Sequence, residues 1–213
     1  MLTLHDYFRS GASHRTRIAL NLKGLVYQQV SHHLRKGEQR APDYMTINPQ
    51  GLVPSLVDGD HIITQSMAII EYLDESYPET ARLLPRDIAG RARVRAMSGV
   101  IACDTHPLNN LRVLAYLQDK LGADENQTKA WCHRWFQDSF PALEQMLKSG
   151  QTGLYCHGDE PSMVDICLAP QMASAKRFGF DATSFSEVCR VAANAAKLPA
   201  FQRAEPERQP DAE

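Results

Sequence analysis

The spacing of hydrophobic and polar positions changes several times within the first 78 residues. Residues 2–8 have the pattern of a short strand, whereas Ile18, Ala19 and Leu22 have the spacing of a helix that starts at His14 and ends before Gly24. The pattern then predicts a strand over residues 26–34 and a short helix from Pro42. It also predicts a hairpin around a turn at 58–60, followed by a helix from Ser66 that ends at Pro78. A parallel strand pair with a crossover helix, followed by a hairpin and a helix, is one layered α/β domain.

Beyond residue 87 the pattern is helical and contains no strand signal. The preceding stretch PETARLLPRD is rich in proline and has little periodicity, so we expect a linker there. Helices are predicted over residues 87–120, 126–149, 162–178 and 184–195. The sequence therefore predicts an α/β domain over residues 1–80, a linker over 81–86 and an all-helical domain over 87–213. The polar end AEPERQPDAE is expected to be loose.

Composition limits the classes of partner. The formal net charge of −2 excludes a chain-wide polybasic surface, so no nucleic acid partner is expected. No apolar run approaches the roughly 20 residues that span a bilayer. Asp6 and Arg9 lie where a signal peptide is apolar. We expect a cytoplasmic protein with no membrane partner.

Cysteine and histidine spacing predicts no metal site. The five cysteines include no CxxC pair, and the eight histidines include no HxxxH or HExxH pattern. His32 and His33 are adjacent, so on a strand they point to opposite faces and cannot chelate one ion together. Free, mostly buried thiols are expected.

The segment YFRSGASHRTRIAL joins the first predicted strand to the first predicted helix. Backbone N–H groups at a helix start are unpaired and carry partial positive charge, so they stabilise a thiolate or a carboxylate. Ser10 and Ser13 lie at this start, where each serine can bind such an anion or act only as an N-cap. Arg9 ends the strand, where α/β folds commonly place ligands. Arg15 and Arg17 are expected to be solvated or structural.

Two further segments offer polar groups to a ligand. Gln65 and Ser66 begin a second helix and can hold a carboxylate, although a simple N-cap explains them as well. Pro54 precedes a strand, and a cis bond there would leave the backbone of Val53 free to pair with an extended ligand. The segment SMVD at residues 162–165 has the form of a capping box and is expected to be structural.

These segments together resemble a glutathione transferase. NPQGLVPSL and QSMAIIEYL are similar to the family's N-terminal domain, and YFRSGASHRTRIALNLKG, RLLPRD, GDEPSMVDICLAPQ and RQPDA are similar to segments of its zeta class. The resemblance covers essentially the whole chain. It implies a thioredoxin-like N-terminal domain, a helical C-terminal domain, glutathione as cofactor and a homodimer.

The resemblance also implies roles for particular residues. Ser10 would contact or activate the glutathione thiol, whose pKa a helix start lowers. The other implied glutathione contacts are Ser13 at the same helix start, Gln65 and Ser66 at the γ-glutamyl carboxylate, Val53 with Pro54 at the cysteinyl backbone, Gln50 at the glycyl end, and His106 and Asn110 facing the same cleft. For His106, a position at a helix start before Pro107 remains the alternative.

The chain departs from the zeta signature at one place. The usual Ser-Ser-Cys is replaced by Ser10, Gly11 and Ala12. The chemistry of this chain therefore cannot require the cysteine. Gly11 would let a ligand approach the backbone closely.

The implied reaction is glutathione-dependent cis–trans isomerisation of a maleyl dicarboxylate in aromatic-acid breakdown. Arginine pairs bidentately with carboxylates, so Arg9, Arg112 and Arg177 are the candidate substrate contacts, with Arg9 also catalytic. An exposed structural role remains open for Arg112. Maleylpyruvate is the expected substrate. The alternatives are maleylacetoacetate, a general zeta-class transferase or dehalogenase, and a binding module without catalysis.

Overall fold

The computed structural model describes residues 1–213 as two compact units. The first unit combines Met1–Leu84 with Lys197–Glu213, and the second comprises Pro85–Ala196. None of the helices is both long enough and apolar enough to cross a membrane.

The first unit contains a four-stranded sheet. Its elements are β1 (Leu2–Asp6), α1 (Gly11–Leu22), β2 (Tyr27–Ser31), α2 (Pro42–Ile47), β3 (Ser55–Asp58), β4 (His61–Thr64) and α3 (Ser66–Ser76). The strand order is β2-β1-β3-β4. β1 is parallel to β2, whereas the β1–β3 and β3–β4 pairs are antiparallel. The predicted thioredoxin-like arrangement is confirmed.

The sheet and its helices share one hydrophobic core. Leu4 in β1 pairs with Leu56 in β3, and both side chains are completely buried. Helix α1 contributes Ile18, and α3, which packs against α1, contributes Ile70 and Leu73. Burial of such side chains is worth roughly 1.5–3 kcal/mol each, so this core fixes the position of both helix starts.

The second strand is shorter than predicted. It covers Tyr27–Ser31, so Val26 lies outside it, and Leu34 begins a 3₁₀ helix. Two local contacts end the extended backbone. The ring of His33 accepts the N–H of Lys36, and the carboxylate of Glu38 accepts the N–H of His33.

The second unit is helical, as predicted. Its helices are α4 (Ile88–Gly99), α5 (Leu111–Leu121), α6 (Glu125–Leu147), α7 (Met163–Arg177) and α8 (Ser186–Ala195), with a π-helical segment, Val100–Thr105, continuing α4. The predicted helix over residues 87–120 is interrupted at 106–110. Pro107 has no N–H to donate, and the side chain of Asn110 starts a new helix by accepting the N–H of Arg112.

The predicted capping box at residues 162–165 is confirmed. Asp165 is buried at the start of α7 and accepts hydrogen bonds from the N–H and hydroxyl of Ser162. Its other oxygen accepts the N–H of Cys156 at 2.9 Å. These bonds tie the preceding loop to α7.

The C-terminal residues differ from the prediction in both place and order. Residues 197–213 group with the first unit rather than with the helical one, and they include a last helix, α9 (Pro199–Ala204), that packs on α1. The segment expected to be loose is held by Gln209, which is buried and donates to the carbonyls of Arg203 and Glu205. The predicted linker is also packed, because Leu83 and Leu84 are buried.

Candidate active site

Ser10 is the N-cap of α1. Its backbone is extended, with φ −67° and ψ 119°, and its hydroxyl oxygen accepts the N–H of Ser13 at 3.2 Å. That bond leaves the hydroxyl proton available to an external acceptor. The N–H groups of the first helical turn, including Gly11 and Ala12, have no partner within the helix. The half-buried Ser10 therefore combines a hydroxyl donor with the positive end of α1.

Ser13 lies inside the helix and not at its boundary. Helix α1 begins at Gly11, three residues before the predicted start, and this places Ser13 in its first turn. The side chain of Ser13 is completely buried, and its hydroxyl has no hydrogen-bond partner within the protein. The backbone N–H of Ser13 supports the site through its bond to Ser10, and a contact between its hydroxyl and glutathione stays a prediction.

Arg17 fixes the turn that precedes Ser10. Its buried guanidinium donates to the carbonyl of Phe8 at 2.8 Å and to that of Tyr7 at 3.4 Å. It also pairs with Asp6 at 2.8 Å. Burial raises the pKa of the Asp6 carboxyl, and the charge of Arg17 opposes that shift. The expectation that Arg17 is solvated or structural resolves to a structural role, because its ion pair and carbonyl bonds satisfy the guanidinium in the interior.

Arg15 connects the starts of α1 and α3. Its side chain is almost completely buried, and Nη1 donates to the hydroxyl of Ser66 at 3.4 Å. The neighbouring His14 is buried as well, and burial, together with the charges of Arg17 and Arg15, lowers its pKa to about 3. His14 is therefore neutral near pH 7, and the positive charge of this region belongs to the two arginines.

Gln65 has a strained backbone at the start of α3. It is the only residue other than glycine with a positive φ, at 69°. Such conformations cost on the order of 1–3 kcal/mol and cluster at functional sites. In this conformation the exposed side chain of Gln65 contacts Gln50. Nε2 of Gln65 donates to the amide oxygen of Gln50 at 2.7 Å. The structure thus brings together the two glutamines that the sequence singled out, with Ser66 as the next residue.

The Val53–Pro54 peptide bond is cis, as the sequence analysis anticipated. The N–H and the carbonyl of Val53 take part in no backbone hydrogen bond within the protein, so both remain available to an extended ligand. Tyr44 forms hydrogen bonds on both sides of this peptide bond in the sequence. Its hydroxyl donates to the carbonyl of Leu52 at 2.6 Å and is hydrogen-bonded to Ser55 at 2.9 Å.

Gln39 is a candidate that the sequence analysis missed. Its amide oxygen is buried and has no hydrogen-bond partner within the protein. Gly51, with φ +60°, allows this segment to approach residues 50–53, because a Cβ at Gly51 would lie 3.2 Å from the carbonyl oxygen of Gln39. The signal in the sequence was that glycine, which follows Gln50.

Arg9 follows the last buried residue of the turn and is exposed. Its guanidinium lies over the ring of Phe8, 5.1 Å from the centroid. The ring supports the cation without consuming its N–H donors, so the charge can still bind a carboxylate.

The remaining predicted residues belong to the second unit. Asn110 is the N-cap of α5, so its oxygen is engaged and its amide N–H₂ is the group left for a ligand. His106 ends the π-helical segment and donates its N–H to Ile101, which places it before a helix and not at a helix start. Arg112 is exposed in the first turn of α5. Arg177 is exposed at the end of α7, with its guanidinium 5.1 Å from the centroid of Phe178.

The sequence has close relatives among characterised families. The model of the glutathione S-transferase N-terminal domain matches residues 1–75. The chain is 46% identical to a maleylpyruvate isomerase of a Ralstonia species, over 99% of both chains. It is 45% identical to a probable maleylacetoacetate isomerase of Vibrio cholerae, over 99% of this chain and 98% of the relative.

Solved structures of isomerases with the same names are similar to this chain in fold. The holo structure of a maleylpyruvate isomerase, a bacterial zeta-class glutathione S-transferase, superposes with a TM-score of 0.96 at 46% identity, covering 99% of this chain and 100% of that one. A maleylacetoacetate isomerase of Anaeromyxobacter dehalogenans has a TM-score of 0.88 at 38% identity, covering 100% of this chain and 94% of that one. That structure contains dicarboxyethyl glutathione and citrate in its active site.

Proposed function

The chain belongs to the glutathione S-transferase family, in its zeta class, and we propose that it is a glutathione-dependent cis–trans isomerase that converts maleylpyruvate to fumarylpyruvate. The observation that carries this proposal is the geometry of Ser10. Its oxygen is engaged by Ser13 and its proton is free, at the positive end of a helix. A thiol placed there would ionise more readily, because both groups favour the charged form.

The rest of the glutathione site is assigned to four residues of the first unit, Ser66, Val53, Gln50 and Gln39. Ser66 at the start of α3, with the charge of Arg15 beneath it, fits the γ-glutamyl carboxylate. The backbone of Val53 is available to pair with the cysteinyl residue. Gln50 and Gln39 offer amide groups to the remainder, and for Gln39 the support is its buried oxygen without a partner.

Bound glutathione supplies a thiolate that adds to the maleyl double bond and departs after rotation, so glutathione is regenerated in each turnover. The protein must lower the thiol pKa and stabilise the negative charge that develops on the substrate's ketone oxygen. Ser10 and the first turn of α1 perform the first task. A cationic group near the ketone performs the second, and Arg9, which follows the strand end directly, is assigned to it.

The substrate's carboxylates are assigned to arginines. Arg9, Arg112 and Arg177 are all exposed, and a guanidinium can bind a carboxylate through two parallel hydrogen bonds. The relative that binds dicarboxyethyl glutathione supports a diacid substrate, since that ligand carries two carboxylates on the group attached to sulfur. Asn110 and His106 are proposed as further contacts to glutathione.

The missing cysteine is compatible with this assignment. Ala12 is half-buried in the first turn of α1, where the backbone N–H groups and Ser10 supply the stabilisation of the thiolate. No step assigned above requires a second thiol from the protein.

Maleylacetoacetate is the second candidate substrate, because relatives that act on the two compounds are 46% and 45% identical to this chain. The two substrates undergo the same chemistry. A general transferase that attacks neutral electrophiles would use the same thiolate without needing the arginines. A binding module without catalysis would bind glutathione but would not convert any diacid.

Calorimetry and a turnover assay test the proposal together. Wild-type protein should bind glutathione, and catalytic amounts of glutathione should support many turnovers of the maleyl substrate. S-methylglutathione is the matched control, because it occupies the site but has no thiol. Binding of glutathione without any conversion, or equal conversion with S-methylglutathione, would contradict the proposal.

A homodimer in the cytoplasm is also part of the proposal, supported by the family to which the chain belongs. Light scattering of the purified protein tests the dimer. A mass near 23.9 kDa, which is that of one chain, would contradict it.

A further inference from the structure

Residues 7–10, here called the catalytic turn, are hydrogen-bonded to two side chains from elsewhere in the first unit, those of Arg17 and Asp211. The turn closes through the N–H of Ser10, which donates to the carbonyl of Tyr7 at 3.0 Å. Arg17 holds the carbonyls of Tyr7 and Phe8 from the side of α1. The N–H of Phe8 donates to Oδ2 of Asp211 at 3.0 Å, across 203 positions of sequence.

Asp211 belongs to the last five residues, 209–213, here called the C-terminal strap, which contain a turn closed by the N–H of Ala212 on the carbonyl of Gln209 at 3.1 Å. Three of its side chains bond to side chains in β2 and just after it, each 180 positions earlier in the sequence. The three pairs are Gln209 with Gln29, Asp211 with Ser31, and Glu213 with His33. All three are side-chain contacts, and together they hold the strap against β2 and the residues that follow it.

The contacts of the strap and those of Arg17 belong to one hydrogen-bond network. Gln29, which the strap holds through Gln209, also donates to Asp6 at 3.1 Å, and Asp6 pairs with Arg17. Arg17 in addition donates to the carbonyl of Ala204 in α9 at 3.1 Å, so the same arginine holds the turn and the chain that leads into the strap. Oδ2 of Asp6 receives both Arg17 and Gln29, whereas its Oδ1 is buried without a partner. The bonds of such a network strengthen one another and restrict the arrangement of the groups they join.

We propose that Asp211 is a positioning residue for the isomerase reaction: by accepting the N–H of Phe8, it fixes the catalytic turn and thereby the place of Ser10 at the start of α1. The inference rests on the proposed function of Ser10. Phe8 is buried, and a buried N–H without an acceptor is strongly disfavoured. Without Asp211 the turn would shift to find another acceptor, and Ser10, two residues later, would shift with it.

The neighbouring contacts of the strap provide matched controls. Glu213→Gln weakens the tie to His33 two residues away and leaves the bond to Phe8 intact. Ser31→Ala removes the second donor to Asp211 and also leaves the bond to Phe8. Asp211→Asn keeps an acceptor oxygen but removes the charge, whereas Asp211→Ala removes both.

The test compares these variants as full-length proteins, by the pKa of the bound glutathione thiol and by kcat/KM across pH. Asp211→Ala should lower kcat/KM about 10-fold and raise the thiol pKa, with the glutathione Kd within about threefold of wild type. Asp211→Asn, Glu213→Gln and Ser31→Ala should stay within about threefold of wild type in kcat/KM. A folded Asp211→Ala with the wild-type thiol pKa would overturn the proposal. An equal loss in Glu213→Gln would also overturn it, since anchoring of the strap alone would then explain the effect. If Asp211→Asn equals Asp211→Ala, the charge matters and the positioning role is refuted.

Amide exchange of Phe8 in the wild-type protein decides the matter should Asp211→Ala fail to fold. The proposal expects the Phe8 N–H to be protected to the same degree as the ladder of β1, and exchange at the rate of an open loop would refute it. Conjugation of a neutral aryl chloride to glutathione separates this inference from the proposed function. A wild type without isomerase activity contradicts that function, while the effect of Asp211→Ala on conjugation and on the thiol pKa still tests the turn.

Discussion

The guanidinium of Arg15 donates to the hydroxyl of Ser66 at 3.4 Å, so a buried positive charge on α1 lies beneath the first residue of α3. Helix starts bind anions through their N–H groups alone. Here a full charge adds to that partial one, and low exposure to solvent limits its screening. A carboxylate bound at Ser66 would therefore be stabilised both by the start of α3 and by the charge that Arg15 carries on α1.

Replacing Arg15 by Met should weaken glutathione binding through that carboxylate. We expect wild type to prefer glutathione over γ-aminobutyryl-cysteinyl-glycine, which lacks the γ-glutamyl carboxylate, and the preference should shrink by about 10-fold in Arg15→Met. Calorimetry with both ligands measures it. The ratio is taken within each protein, so partial unfolding cannot imitate the result, and an unchanged ratio would refute this role for Arg15.

Replacing Ser10 by Ala should affect both stability and chemistry. Loss of the N-cap bond to Ser13 costs about 1 kcal/mol of unfolding free energy. Loss of the hydroxyl donor to the thiolate, about 1.5–3 kcal/mol, should lower kcat/KM about 10- to 150-fold while the glutathione Kd stays near that of wild type. Ser10→Thr keeps the hydroxyl and serves as control. If ultraviolet titration gives the same thiol pKa in Ser10→Ala and wild type, Ser10 does not activate the thiol.

His14 should make the protein less stable at mildly acidic pH. Its pKa of about 3 in the folded state lies below the ordinary value of 6.5, so between these values the unfolded chain binds a proton that the folded chain does not. Stability from this group is complete above about pH 6.5 and falls as the pH falls toward 3. Burial also lowers the pKa of His5 and His32, which act in the same direction.

Comparison with His14→Gln isolates this contribution. Between pH 7 and 5, wild type should lose about 2 kcal/mol more unfolding free energy than the variant. Denaturant titrations at a fixed protein concentration measure the difference. Parallel losses in both proteins would mean that His14 is protonated in the folded state.

The exposed arginines should separate diacid isomerisation from general transfer. Arg9→Ala or Arg177→Ala should each lower kcat/KM for the maleyl diacid about 10- to 100-fold, because a charge-assisted bond of about 1.5–3 kcal/mol is lost. Lys at either position should restore only part, since it cannot form two parallel bonds. Conjugation of a neutral chloronitrobenzene should change little. Equal losses in both reactions would make the arginines structural.

The order of the elements was predictable because each one depends on a local pattern. The hairpin turn at Gly59, the helix start at Ser66 and the capping box at Ser162 are set by residues within a few positions of one another. Resemblance to the family then placed Gln50 and Gln65 in one site, and the structure joins them by a hydrogen bond.

The parts that were missed depend on distant contacts. Charged side chains are usually exposed, so Arg15 and Arg17 gave no local sign that they are buried. Asp211 lies in a polar segment that would be loose on composition alone, yet its partner Phe8 is 203 positions away. Ser13 was placed at the helix boundary, but α1 begins three residues earlier, so Ser13 is buried in its first turn and Ser10 is the N-cap.

The most direct test gives the purified protein glutathione and compares maleylpyruvate with maleylacetoacetate side by side while absorbance is followed. We expect conversion of the maleyl to the fumaryl form that requires glutathione but does not consume it, with the higher kcat/KM for maleylpyruvate. A higher kcat/KM for maleylacetoacetate would contradict the substrate assignment. No conversion of either compound by protein that binds glutathione would contradict the isomerase itself.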